Sequence, residues 1–290
     1  MASPRTGFIK LNRFSATSVD EFSEAVSRLR AEGMENLILD LRGNSGGYLG
    51  AAIDLADEFL PGGSLIVYTE GLKSPKQNYY ATPGGSFTEG RLVVLIDEGS
   101  ASASEIVAGA VQDWDRGLVI GRRSFGKGLV QRPFPLPDGS VIRLTTARYH
   151  TPTGRSIQKP YDKGVEDYYM DIYNRMEHGE LVNPDSIRFP DSLKYYTPAH
   201  RVVYGGGGIM PDIFIPWDST WISDYYTDLR RKGVLNQFTV QYVDDHREEI
   251  LDKYPTLKEY REDFKLDEKF MKGFFSYAEK MEVPFDEEGY

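Results

Sequence analysis

With 290 residues, 40% of them apolar and 27% charged, the chain has the length and composition for one large folded domain or two smaller ones, and not those of a disordered polymer. A formal charge of −10, from 44 acidic against 34 basic side chains, argues against a nucleic-acid binder, which needs clustered positive charge. With no cysteine, disulfides, thiolate nucleophiles and cysteine-bound metals are excluded. No apolar run is long enough to span a bilayer, and the opening "MASPRTGFIK" lacks the apolar stretch of a signal peptide.

Strand-like and helix-like segments alternate through the first half, which predicts an α/β core. "GFIKLNRF" (Gly7 to Phe14) reads as a half-buried strand. Ser18 with Glu21 has the spacing of a capping box, and Val19, Phe22, Val26 and Leu29 recur at helical intervals up to a stop at Gly33. "LILDL" (Leu37 to Leu41) reads as a strand covered on both faces. The turn "RGNSGGYLG" leads into a second amphipathic helix through Ile53, Ala56 and Leu60. "SLIVYTE", "LVVLI" and "GLVIG" are three further strands, the last two separated by a helix carrying "EIVAGAVQDW". "LVQRPFPLPDGSVIRLTTARYHT" predicts a hairpin about Asp138–Gly139.

Residues 161–204, rich in Tyr, Asp and Pro, read as a peripheral excursion with one helix, and "GGGGIMPDIFIP" (Gly205 to Pro216) as a return to strand. The expected core is therefore 7–160 with 205–217, followed by a helical, acidic appendage at 218–290. There Thr256 with Glu259 makes another capping box, and Phe270, Met271, Phe274, Phe275 and Ala278 form one apolar stripe. That stripe could close over the core or pair with a second subunit, giving a homo-oligomer.

Two short stretches carry chemistry. "DEGSASASEI" (Asp97 to Ile106) follows the apolar "LVVLI", and "SFGKG" sets Lys127 between two glycines, 25 residues after Ser102. Ser102 with Glu105 can be a capping box and nothing more. A strand-to-helix turn is also where a nucleophile gains from backbone N–H groups and the helix dipole, and the flanking alanines leave room for a substrate chain. Lys127 reads either as an exposed turn lysine or as a general base. Taking a lysine from about 10.4 to near 7 needs roughly 4.6 kcal/mol of bias against the charged form, which burial can supply.

Competing readings are weaker. His178, His200 and His246 lie in polar or irregular surroundings, and His150 alone could serve a Ser–His–Asp arrangement, without any triad signature around it. No His/Asp/Glu cluster has metal-ligand spacing, so no metal is expected. "GRRSFGKG" approaches a phosphate-binding G-x4-G-K loop, but Gly128 stands where Ser or Thr must hold Mg²⁺, and the proline-bearing "LVQRPFPLP" is a poor helix former. Nucleotide binding stays a minor alternative.

Taken together and in order, "LDLRGNSGG", "GSASASEI", "FGKGLVQ", "TPTGRSIQK" and "GGIMPD" resemble the C-terminal processing peptidases, or tail-specific proteases, which use a Ser–Lys dyad. The resemblance covers about 7–160 plus the "GGIMPDI" segment. It implies a crotonase/ClpP-like α/β core and a serine endopeptidase cutting near protein C-termini, with protein or peptide substrates, no cofactor, and a periplasmic or cell-envelope location. It implies Ser102 as nucleophile, Lys127 as base and Gln131 as the residue orienting the lysine amine. The backbone N–H of Ala103 and one from Gly46 or Gly47 would form the oxyanion hole, with Asp40, Arg42 and Glu105 in support. Such proteins usually carry a PDZ domain ahead of the core, and the six residues before Gly7 leave no room for one in this chain. The rival expectations are an inactive peptide-binding core and a crotonase-like core acting on coenzyme A thioesters, which would need no such serine and lysine.

Overall fold

The computed structural model describes residues 5–162, 164–218 and 223–285, and divides into two compact units, Met1–Trp217 and Asp218–Tyr290. The first unit opens with β1 (Thr6–Lys10), α1 (Ser18–Ala31), β2 (Asn36–Asp40) and α2 (Leu49–Asp57). There follow β3 (Leu65–Gly71), β4 (Ser74–Tyr80), β5 (Leu92–Ile96), α3 (Ala103–Asp113), β6 (Leu118–Gly121), β7 (Leu129–Pro135) and β8 (Val141–His150). It closes with α4 (Val165–Glu177), β9 (Lys194–Tyr196), β10 (Val202–Tyr204) and β11 (Ile213–Phe214).

β1, β2, β5, β6 and β11 form a wholly parallel sheet in the order β1-β2-β5-β6-β11. A second, antiparallel sheet runs β4-β3-β8-β7, and β9 with β10 makes a small ribbon. α3 packs against α2, β3 and β6, and every one of its residues is buried. A helix covered all round must be apolar or small on every face, and Ala103, Val107, Ala108, Gly109, Ala110 and Val111 meet that demand. At Gly109 a Cβ would lie 2.7 Å from the Thr151 methyl, so the helix approaches that loop closely enough to require glycine. The polar end of α3 is satisfied internally: Arg155, fully buried, donates to Asp113 and Gln112 at 2.7 Å each and to the Tyr204 carbonyl at 2.9 Å.

The predicted strands over "LILDL", "LVVLI" and "GLVIG" and the Asp138–Gly139 hairpin are all present. Four expectations need correction. The first strand stops at Lys10, because the chain then turns toward the glycine loop, where Phe14 N–H donates to the Gly46 carbonyl at 3.1 Å. Ser18 is not a cap. It is the first residue of α1, and its hydroxyl ties back to the Arg13 carbonyl at 3.1 Å. The stretch after Gly205 is strand only at Ile213–Phe214; Gly206 and Gly208 have φ of 81° and 88°, and their N–H groups donate to Ser156 and Ile157 instead. The excursion holds α4 together with the β9–β10 ribbon and two short 3-10 turns.

The second unit contains α5 (Asp224–Arg231), α6 (Val234–Asp245), α7 (Arg247–Lys253), α8 (Leu257–Asp263) and α9 (Glu268–Lys280). Its core is Tyr225, Leu229, Val234, Phe238, Phe274, Ala278 and Val283, with the Phe238 ring 5.3 Å from both Phe270 and Phe274. The predicted α9 stripe thus faces its own unit's core through Phe270, Phe274, Phe275 and Ala278, while Met271 is half-buried. Residues 219–222 and 286–290 of the expected helical region lie outside the described residues.

Candidate active site

The site grows from the carboxyl ends of β2 and β5, which are adjacent and parallel, so the loops that follow them must meet. Asn44, fully buried in the first loop, organises both. Its amide N donates to the Leu11 carbonyl at 2.8 Å, its side-chain oxygen accepts from Gly46 N–H at 2.9 Å, and its carbonyl accepts from Ala101 N–H and Ser104 Oγ. From the second loop, Asp97 Oδ1 accepts from Gly43 N–H at 2.8 Å and from Gly99 N–H at 3.0 Å. A Cβ on Gly46, whose φ is 100°, would stand 2.8 Å from both Ser102 Cβ and the Ala101 carbonyl. Only glycine lets the two loops approach so closely.

Ser102 lies between the second loop and α3, with φ 56° and ψ −110°. For a residue carrying a Cβ this costs of order 1–3 kcal/mol and persists only where the surroundings enforce it. Half-buried Ser102 is therefore held by its neighbours in a conformation that a simple helix cap does not need.

What enforces it is Glu105, fully buried one turn into α3. Its Oε2 accepts from Ser102 N–H at 2.8 Å and from Lys127 N–H at 2.9 Å, and its Oε1 accepts from Ser124 Oγ at 2.5 Å and Gly126 N–H at 2.7 Å. One oxygen atom thus bridges the backbones of Ser102 and Lys127. On their carbonyl side, the Tyr149 hydroxyl lies against both the Ser102 oxygen, at 3.0 Å, and the Lys127 oxygen. Burial pushes the Glu105 carboxyl above its ordinary range, opposed by the four hydrogen bonds from Ser124, Lys127, Gly126 and Ser102. Burial and the Glu105 charge push the Tyr149 hydroxyl well above its usual range, so it stays a donor.

Lys127 is half-buried and shares a groove of about 300 Å³ with Gln131, which is exposed on β7. Gly128 N–H donates to the Gln158 side chain at 2.8 Å, and Lys159 N–H to the Gly126 carbonyl at 3.0 Å, so "TPTGRSIQK" runs beside the glycine-lysine turn and holds it. Of the backbone donors named from sequence, Gly46 N–H is engaged by Asn44; Ala103 and Gly47 N–H make no hydrogen bond within the chain among the described residues. Asp40 and Arg42 pair with each other at the end of β2. Burial alone would raise the Asp40 carboxyl; Arg42, bonded through Nε, Nη2 and its backbone N–H, and Lys10 at 3.9 Å hold it below the usual carboxylate range.

His150 stacks on Tyr68 with ring centroids 4.7 Å apart and bonds the Gly154 carbonyl, and His178 and His246 each bond a carbonyl four residues back. After "GRRSFGKG" the chain enters β7 and not a helix, so the phosphate-binding alternative lacks its anion-binding N-terminus. Sequence reasoning missed Asn44, Tyr149 and Gln158. Asn44 sits inside "RGNSGG", and an Asn in a glycine-rich turn, whose side chain can accept from the backbone two residues on as it does here from Gly46 N–H, is the signal that could have found it.

Residues 5–169 match Peptidase family S41, and residues 225–290 match a family of unknown function (DUF8443). A carboxyl-terminal-processing protease of Synechocystis sp. is 45% identical over 203 residues, 70% of this chain and 46% of that protein. The chloroplastic carboxyl-terminal-processing peptidase 3 of Arabidopsis thaliana is 41% identical over 158 residues, 53% of this chain and 30% of that one. The chain thus spans less than half the length of either relative. Among solved structures, a photosystem II D1 C-terminal processing protease superposes with a TM-score of 0.53 at 28% identity, over 73% of this chain and 42% of that one. The family match runs over more than half of the sequence and contains both loops, Ser102, Lys127 and four of the five strands of the parallel sheet: the chain belongs to peptidase family S41.

Proposed function

We propose that this protein is a serine endopeptidase in which Ser102 is the nucleophile and Lys127 the general base. The observation that carries the reading is the enforced backbone of Ser102, bridged to that of Lys127 by a single Glu105 oxygen. In this mechanism Ser102 Oγ attacks the scissile carbonyl carbon while Lys127 Nζ takes its proton. The tetrahedral oxyanion is met by Ala103 N–H, at the positive end of α3, and by Gly47 N–H, since Gly46 N–H is already committed. Lys127 then gives the proton to the departing amine, leaving an acyl-enzyme on Ser102. Water, deprotonated by the same lysine, releases the acid and restores the serine. Gln131 orients the amine from β7, its amide oxygen accepting a hydrogen bond without adding charge.

The names of the relatives support substrates cut near their C-termini, and their bacterial and chloroplast sources are compatible with an envelope or periplasmic setting. No helix among the described residues is long and apolar enough to cross a membrane. The test is cleavage of a loosely folded protein by the unmodified chain, Ser102→Ala and Lys127→Ala. Both variants should lose cleavage. Full activity in Lys127→Ala would contradict the dyad even if cleavage itself were real.

A further inference from the structure

We propose that α4 turns the groove beside Lys127 into a pocket that selects an aromatic or large aliphatic side chain of the substrate. This rests on the peptidase reading, and concerns what that site prefers. One side of the groove is Lys127, Leu129 and Gln131, running into and along β7; α4 contributes Val165, Tyr168 and Tyr169. At about 300 Å³ it is at the small end of ligand cavities, suited to one large side chain and not to an extended ligand.

Contacts within the chain hold Phe125 and Tyr168 in place, while Val165 and Tyr169 are exposed. The Lys159 ammonium lies 3.9 Å from the Phe125 ring centroid and 4.3 Å from that of Tyr168, and donates to Asp171 at 3.0 Å. Phe125 and Tyr168 meet edge to face at 5.7 Å. Arg175, buried on α4, donates to the Ser124 carbonyl at 3.0 Å and the Arg123 carbonyl at 2.6 Å, fastening the helix to the segment that leads into Lys127. Among the described residues that line the groove, Lys127 is the one charged side chain, and the rest is aromatic, aliphatic or a neutral amide or hydroxyl. A residue entering beside Lys127 therefore meets rings and aliphatic carbon, which reward apolar area over charge.

The test measures binding and cleavage in parallel. Peptides carrying Phe or Ala at one position at a time are titrated calorimetrically into the Ser102→Ala chain. At one position Phe should bind about tenfold or more tighter than Ala, as expected for filling an apolar pocket. Val165→Trp, which fills the groove, and Tyr169→Ala, which opens it, should each shrink that ratio to about threefold or less. Thermal unfolding checks that both variants remain folded. The proposal is overturned by the absence of any such position, including absence of binding, by a ratio that both variants leave intact, or by affinity set by a free C-terminal carboxylate whatever the side chain. Cleavage of the same peptides by the unmodified chain separates the two readings: preference without cleavage counts against the peptidase, and cleavage without preference against the pocket.

Discussion

Among the described residues two capping boxes are formed, with different outcomes. In the helical unit, Thr256 caps α8 from an extended backbone, φ −124° and ψ 152°; its hydroxyl accepts from Glu259 N–H and the Glu259 carboxylate returns to Thr256 N–H at 3.0 Å, all exposed. In the α/β unit, Ser102 and Glu105 have the same spacing, and Glu105 also returns to the cap N–H. There the cap residue is strained, the carboxylate is fully buried, and three further donors converge on it from residues 124–127. The motif by itself reports only a helix start. Strain and a long-range partner set one serine apart from an ordinary cap.

Substitutions that treat the two boxes alike should separate them, and the largest effect belongs to Glu105. In Glu105→Gln, whichever way the amide is turned, an NH₂ faces two donors in a site without water access. We expect a loss of roughly 2–4 kcal/mol in urea unfolding, and a fall in cleavage of about a hundredfold or more from misplacing Ser102 and Lys127. Glu259→Gln, where a capping box tolerates either residue, should change stability by less than about 0.5 kcal/mol.

Next is Ser102→Gly, which relieves the positive φ. It should abolish cleavage yet raise stability by about 1 kcal/mol net of glycine's extra backbone entropy, whereas Ser102→Ala, keeping its Cβ, should not stabilise. Thr256→Ala should move the other way, losing about 1 kcal/mol. Asp40→Asn is the smallest. Because the native carboxyl titrates below its ordinary value near 3.8, the unfolded chain takes up the proton first as pH falls. The stability Asp40 contributes is present above that value and lost below it. With Arg42 half-exposed, we expect a loss under about 1 kcal/mol at neutral pH and a shallower acid limb below about pH 4.

Much of the scaffold was legible because it is periodic. Parallel strands covered on both faces announce themselves as "LILDL" and "LVVLI", and Asp138–Gly139 marks its hairpin. β4 was missed for the opposite reason: "SPKQNYY" is almost wholly exposed and polar, so it has no alternation to read. Ser18 misled because its hydroxyl serves the chain before the helix and not the helix itself. At the site, the residue types of Ser102, Lys127 and Gln131 could be singled out from spacing and resemblance. The bonds that bring their segments together could not, since Glu105 and Tyr149 act across 19 to 47 residues and Asn44 across as many as 60.

The most direct measurement of the central claim is covalent labelling with a serine-directed fluorophosphonate, mapped by peptide mass spectrometry, in the unmodified chain and in Lys127→Ala. The account predicts a single adduct on Ser102 that forms rapidly in the first and is lost in the second. An adduct on another serine, or labelling of Ser102 at the same rate without Lys127, would contradict it.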